Sequence, residues 1–106
     1  MIGIYKITNK INNHAYIGQS TDIEERWNGH KFYEQNHSST ILQKAFAKYG
    51  ISNFSFEVIE ECPVSQLDER EIYWIKYYNT YHDGYNMTQG GQEGRILDYD
   101  SIIAEY

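Results

Sequence analysis

Isoleucines and tyrosines crowd residues 2–8 and 14–19, and the polar connection Asn9-Lys10-Ile11-Asn12-Asn13 separates them, which predicts two strands of a hairpin. Thr21 followed by Glu24 predicts a capping box that opens a helix over about residues 22–34. Ser38 and Ser39 offer a second N-cap. Beyond them Ile41, Leu42, Ala45, Phe46 and Tyr49 recur at helical spacing, and Gly50 stops that helix. Residues 54–60 alternate as a half-buried strand, with Phe54, Phe56 and Val58 on one face. Pro63 blocks its continuation, Ser65 with Asp68 suggests another capping box, and a helix follows over about residues 66–78. The turn-rich stretch 82–91 leaves room for a short extended piece at residues 85–87.

The order β-β-α-α-β-α predicts an α+β fold, a small sheet covered by helices. One domain suits 106 residues, with residues 1–92 as its body and 93–106 as a boundary segment. There is no internal repeat. No run of 18 apolar residues predicts a membrane span, and no secretion signal precedes the first strand. The single Cys62 cannot form an internal disulfide, which fits a reducing cytoplasm and a packing role.

Charge complicates any link to nucleic acid. The net charge is −6, yet residues 1–50 carry six basic groups against four acids, and residues 51–106 carry three against eleven. A polyanion should therefore meet the first half, and only weakly.

Chemistry enters with the tyrosines. Strand parity puts Gly3, Tyr5 and Ile7 on one face. In a hairpin with an even-numbered loop Tyr16 opposes an odd-numbered residue, so both phenols emerge on one side, with Gly3 and Gly18 leaving space beside them. Two tyrosines rimming a core would look the same. Arg26 and His30, four apart, share one helix face and would bring a cation and an imidazole to those phenols. Glu71 occupies the i+4 place in the apolar stripe Leu67, Trp74, Ile75 and Tyr78. A carboxylate facing the core costs several kcal/mol unless it is paired or holds a metal. A salt bridge to Arg26, a rotated helix, and a single divalent cation all remain open for it. A two-metal site would want more clustered acids, and Glu60, Glu61, Asp68 and Glu69 read as solvated surface. Asn86 adds a neutral amide after the Gly84 turn. Phosphodiester cleavage needs an activated water, phosphate neutralisation and help for the leaving oxygen. A phenol takes part as a base only if nearby cations lower its pKa.

The motifs "GIY" and "YIG", then "R…H" on the next helix, "EREIYWIKYY" and "GYN" resemble the GIY-YIG nuclease family over residues 2 to about 91. The stretch from His37 to Gly50, "HSS…LQ…F…YG", resembles most the catalytic domains of phage- and intron-type homing endonucleases. The resemblance implies a three-stranded antiparallel sheet flanked by helices, with a Mg²⁺-dependent site (Mn²⁺ can substitute) on the sheet face. By motif position it implies Tyr5 as general base or relay, Tyr16 as a second phenol, Arg26 on the phosphate and His30 in water activation. It further implies Glu71 as the metal ligand and Asn86 as a positioning residue. Arg26, Lys31, His37 and Lys44 are the expected contacts to double-stranded DNA. Branches with a lysine after the YIG glycine and a tyrosine in place of the helix histidine differ here at Gln19 and His30, which argues against the excision-repair branch. "ILDYDSIIAEY" looks like the start of a helix in a following DNA-binding region. The expected function is a divalent-metal-dependent DNA endonuclease domain; the alternative is a nucleic-acid-binding module of the same fold with weak catalysis. Oligomeric state is open.

Overall fold

The computed structural model describes residues 1–33 and 41–90, and within these the side chains of 1–29 and 41–90. The expected boundary segment 93–106, His37 and the Ser38/Ser39 cap lie outside the described residues.

Three antiparallel strands form one sheet: β1 (Gly3–Asn9), β2 (Ala15–Ser20) and β3 (Phe54–Glu61), in the order β2-β1-β3. The hairpin register pairs Tyr5 with Gly18 and Ile7 with Tyr16, the odd-sum register that parity requires. Its turn is closed by Asn9 N–H donating to the His14 carbonyl at 2.8 Å and by Asn13 in the left-handed region at φ 66°. Along the β1–β3 pair the register slips between Ile4, opposite Glu60, and Tyr5, opposite Val58, so Ile59 is the extra residue of a bulge. Gly3 sits beside this irregularity, and a Cβ there would strike the Glu60 carbonyl. Its missing side chain makes room for β3 rather than for the phenols.

Helix α1 (Ile23–Tyr33) and α2 (Ile41–Tyr49) pack on one face of the sheet, where Tyr5, Ile7, Ile23, Leu42, Phe46, Phe54 and Tyr85 form the larger core cluster. Helix α3 (Leu67–Tyr78) covers the other face through Leu67 and Ile75, against Ile4, Ile17 and Cys62. Each buried aliphatic side chain contributes about 1.5–3 kcal/mol. Cys62 is one such packing group; burial pushes its thiol up.

Three local expectations shift. The α1 cap is Asp22, whose Oδ1 accepts from Glu25 N–H at 3.2 Å; Ser20 Oγ in turn accepts from Asp22 N–H at 2.9 Å, while Glu24 instead meets the chain's amino terminus. Asp22 reaches the third helical N–H better than Thr21, one residue earlier. Ser65 lies inside a 3₁₀ turn over Val64–Gln66, and α3 starts without a side-chain cap. No strand forms at residues 85–87. Asn79, at φ 56°, ends α3, and a short α4 (Thr80–Asp83) carries the chain to the β2 edge.

Candidate active site

Tyr5 leaves the central strand and crosses the edge strand. Its ring and hydroxyl lie against Gly18, where any Cβ would collide with them. Glycine at that position is what lets the phenol cross β2. The Tyr16 ring sits 6.3 Å from the Tyr5 ring, and Trp27 of α1 meets Tyr5 edge-on at 6.2 Å and 88°. Tyr5 is fully buried. It is a core residue that also lies beside Arg26.

Arg26 is solvent-exposed on α1 and hydrogen-bonds the Tyr5 hydroxyl. Arg26 by itself does not bring the Tyr5 pKa below its ordinary value. Burial raises it well above the ordinary value of 10.0, the nearby Tyr16 raises it further, and Glu71 adds to the rise; Arg26 opposes them by charge and hydrogen bond without prevailing. At neutral pH Tyr5 keeps its proton. His30 and Lys31 lie on α1, His30 one turn beyond Arg26.

Glu71 is only 5 % exposed, on the core-facing stripe of α3 between Leu67 and Ile75. Its Oε1 accepts from the Gln19 amide Nε2 at 2.9 Å, and the same nitrogen donates to Asp68 Oδ1 at 2.7 Å. The helix does not rotate to expose Glu71, and its charge reaches Tyr5 across the β2 edge. Asp68 and Glu60 are not mere solvated surface either. Asp68 shares the Gln19 amide, and Glu60 Oε1 accepts from Arg70 Nε and Trp74 Nε1, both at 2.8 Å.

Asn86 acts on the backbone. Its Oδ1 accepts from Ile17 N–H at 2.8 Å and its Nδ2 donates to the Ile17 carbonyl at 2.9 Å, completing the outer edge of β2 as a neighbouring strand would. One step earlier Tyr85 N–H donates to the Ala15 carbonyl at 2.8 Å, and Gly84 permits that approach because a Cβ there would meet the same carbonyl. The Tyr85 hydroxyl accepts from Asn9 Nδ2 at 3.1 Å, anchoring the segment to the base of the hairpin turn.

The fold therefore gathers Tyr5, Tyr16, Arg26 and Glu71 in one neighbourhood and sets Asn86 on the strand that carries Tyr16. Lys44 is exposed on α2. Gln19 and Asp68 escaped the sequence reading. Gln19 shares the Ile17 face by strand alternation and follows the YIG glycine, but its partners depend on where α3 lands.

The buried Glu71 carboxylate, joined to Asp68 through the Gln19 amide, offers hard oxygens of the kind Mg²⁺ prefers. Among the described residues there is no group of three or more His, Cys, Asp or Glu side chains that could hold a metal ion. Glu71 is the one buried carboxylate among these residues and could hold a divalent ion.

This edge-strand site, on a three-stranded antiparallel sheet between helices, is that of a nuclease-like α+β domain. Residues 1–86 match the model of the GIY-YIG catalytic domain, and the chain belongs to that family. It is 43% identical over 89 residues to the intron-associated endonuclease 1 of Enterobacteria phage T4, covering 80% of this chain and 36% of that protein. It is 38% identical over 95 residues to the putative endonuclease segB of the same phage, covering 85% of this chain and 39% of that protein. Among solved structures it resembles the catalytic domain of the homing endonuclease I-TevI, with a TM-score of 0.76 and 38% identity over 83% of this chain and 99% of that one. The chain thus spans well under half the length of these curated relatives. The expected fold class holds.

Proposed function

We propose that this chain is the catalytic domain of a homing-type endonuclease that hydrolyses phosphodiester bonds in double-stranded DNA with a divalent cation, Mg²⁺ or, in its place, Mn²⁺. The observation that carries this reading is the Arg26–Tyr5 hydrogen bond, which aims a solvent-exposed cation and a buried phenol at the edge where Glu71 stands.

In the reaction a water oxygen bonds to phosphorus and the bond to one bridging oxygen breaks. The water loses a proton and the leaving oxygen gains one. Arg26 is exposed on the DNA-accessible side and stabilises the charge that builds on the non-bridging oxygens. Tyr5 holds its proton, so it serves as a hydrogen-bond donor or relay rather than as a preformed phenolate. That leaves His30, one turn along α1, as the group that takes the water's proton, directly or through Tyr5. Tyr16 closes the phenol pair, and Asn86 fixes the strand beneath it. Glu71 is the residue to hold the cation, which when bound supplies phosphate neutralisation and a more acidic water. Lys31, His37 and Lys44 are the further DNA contacts.

The test is supercoiled plasmid incubated with Mg²⁺ or EDTA, beside a Glu71→Ala control. Nicking or linearisation should require the cation and vanish in Glu71→Ala. Cleavage that survives EDTA, or is unchanged by Glu71→Ala, would sink the cation assignment. DNA binding without cleavage under any divalent ion would establish the binding module instead.

A further inference from the structure

We infer that Gln19 is a positioning residue that aims the Glu71 carboxylate for its cation; this rests on the reading of Glu71 as the cation-holding group. The Gln19 amide nitrogen carries two hydrogens, and it directs them to two different acids: Glu71 Oε1 at 2.9 Å and Asp68 Oδ1 at 2.7 Å. Asp68 and Glu71 lie three residues apart on α3, so they project from the same side of that helix. Two neighbouring carboxylates repel when both are ionised, and the amide places donor hydrogens on each of them.

Both ends of this arrangement are held. Gln19 stands on β2 two residues past Ile17, whose backbone is clamped by Asn86, and four past Ala15, whose carbonyl is taken by Tyr85 N–H. Glu71 stands on α3 between Leu67 and Ile75, both buried in the cluster against Ile4 and Ile17. A short bridge between two immobilised backbones fixes the direction of the carboxylate.

Groups that hydrogen-bond a metal ligand in this way typically change metal affinity by about 10–100-fold when removed.

The experiment is an Mn²⁺ titration of the chain without DNA, reading free Mn²⁺ by electron paramagnetic resonance, together with thermal melts. Gln19→Met keeps the volume and loses the donor; its Mn²⁺ affinity should fall about tenfold or more. Gln19→Asn keeps an amide but ends one methylene short of the two acids, so its Mn²⁺ affinity should fall as well. A merely structural Gln19 would lower the melting temperature of both variants and leave the Mn²⁺ affinity of the folded chain unchanged. Mn²⁺ affinity within twofold of wild type in either variant, with Glu71→Ala abolishing binding, overturns the Gln19 role and leaves the Glu71 reading intact. Undiminished Mn²⁺ binding in Glu71→Ala overturns both. If Gln19→Met does not fold, Gln19→Asn decides.

Discussion

The Tyr5 hydroxyl is pulled two ways, and burial wins over the guanidinium beside it. This has a consequence for stability. A phenol whose pKa is raised on folding binds its proton more tightly in the folded than in the unfolded chain. Its contribution is therefore fully present below the unfolded value near 10.0 and is lost as pH climbs above that toward the raised folded value. The expected outcome is that wild type loses stability between about pH 10 and 11.5 more steeply than Tyr5→Phe does, in urea melts taken across that range. Identical slopes would show that the Tyr5 environment does not penalise the phenolate. The same residue shows what sequence can and cannot reveal at this scale. Parity alone predicted that Tyr5 and Tyr16 share a face, because alternation is a property of the strand. The weight of burial against Arg26 was not legible, because it depends on how completely α1 and the Trp27 ring seal the phenol.

Among the elements, the edge strand β2 carries Tyr16 and Gln19, yet β1 pairs with only one side of it. The chain compensates with a segment that is not a strand: Tyr85 N–H on the Ala15 carbonyl and the Asn86 amide on both backbone groups of Ile17. Removing the amide leaves a buried N–H and a buried carbonyl without those partners, each costing about 1–3 kcal/mol. Asn86→Ala should therefore destabilise the chain by about 2–4 kcal/mol in urea unfolding and speed hydrogen exchange at the Ile17 amide, with cleavage falling alongside. A stability loss under about 0.5 kcal/mol would mean that water replaces the clamp. The elements themselves were largely legible, since periodicity and Pro63 and Gly50 bracket them. The caps were less so: Asp22 replaced Thr21, and a 3₁₀ turn absorbed Ser65. α4 and the Asn86 clamp were hidden because they are defined by contacts with β2, which is about 70 residues away in sequence. Glu71 was readable as an anomaly on an apolar stripe, whereas Gln19 looked like any polar residue on a strand until α3 brought two acids to it.

For the whole molecule, the decisive quantity is where charge sits. The acids are concentrated after residue 50, yet the candidate DNA contacts Arg26, Lys31 and Lys44 all precede it. An overall charge of −6 repels a polyanion, so these few cations must work against the field of the rest of the chain. The two kinds of cation should then separate in experiment. Lys31→Ala and Lys44→Ala, if they meet phosphates, should each weaken DNA binding at low salt and reduce the slope of log affinity against log salt by about 1, with little change in the cleavage rate at saturating DNA. Arg26 is different because it hydrogen-bonds the Tyr5 hydroxyl. Arg26→Ala should lower the rate at saturating DNA by at least about 100-fold, as loss of a single electrostatic donor to a transition state does, while changing the salt slope no more than a lysine does. Single-turnover cleavage and salt-dependent binding on the same DNA read both quantities. A few-fold rate effect for Arg26→Ala would reduce it to another surface contact, and unchanged salt slopes in both lysine variants would move the DNA path away from α1 and α2.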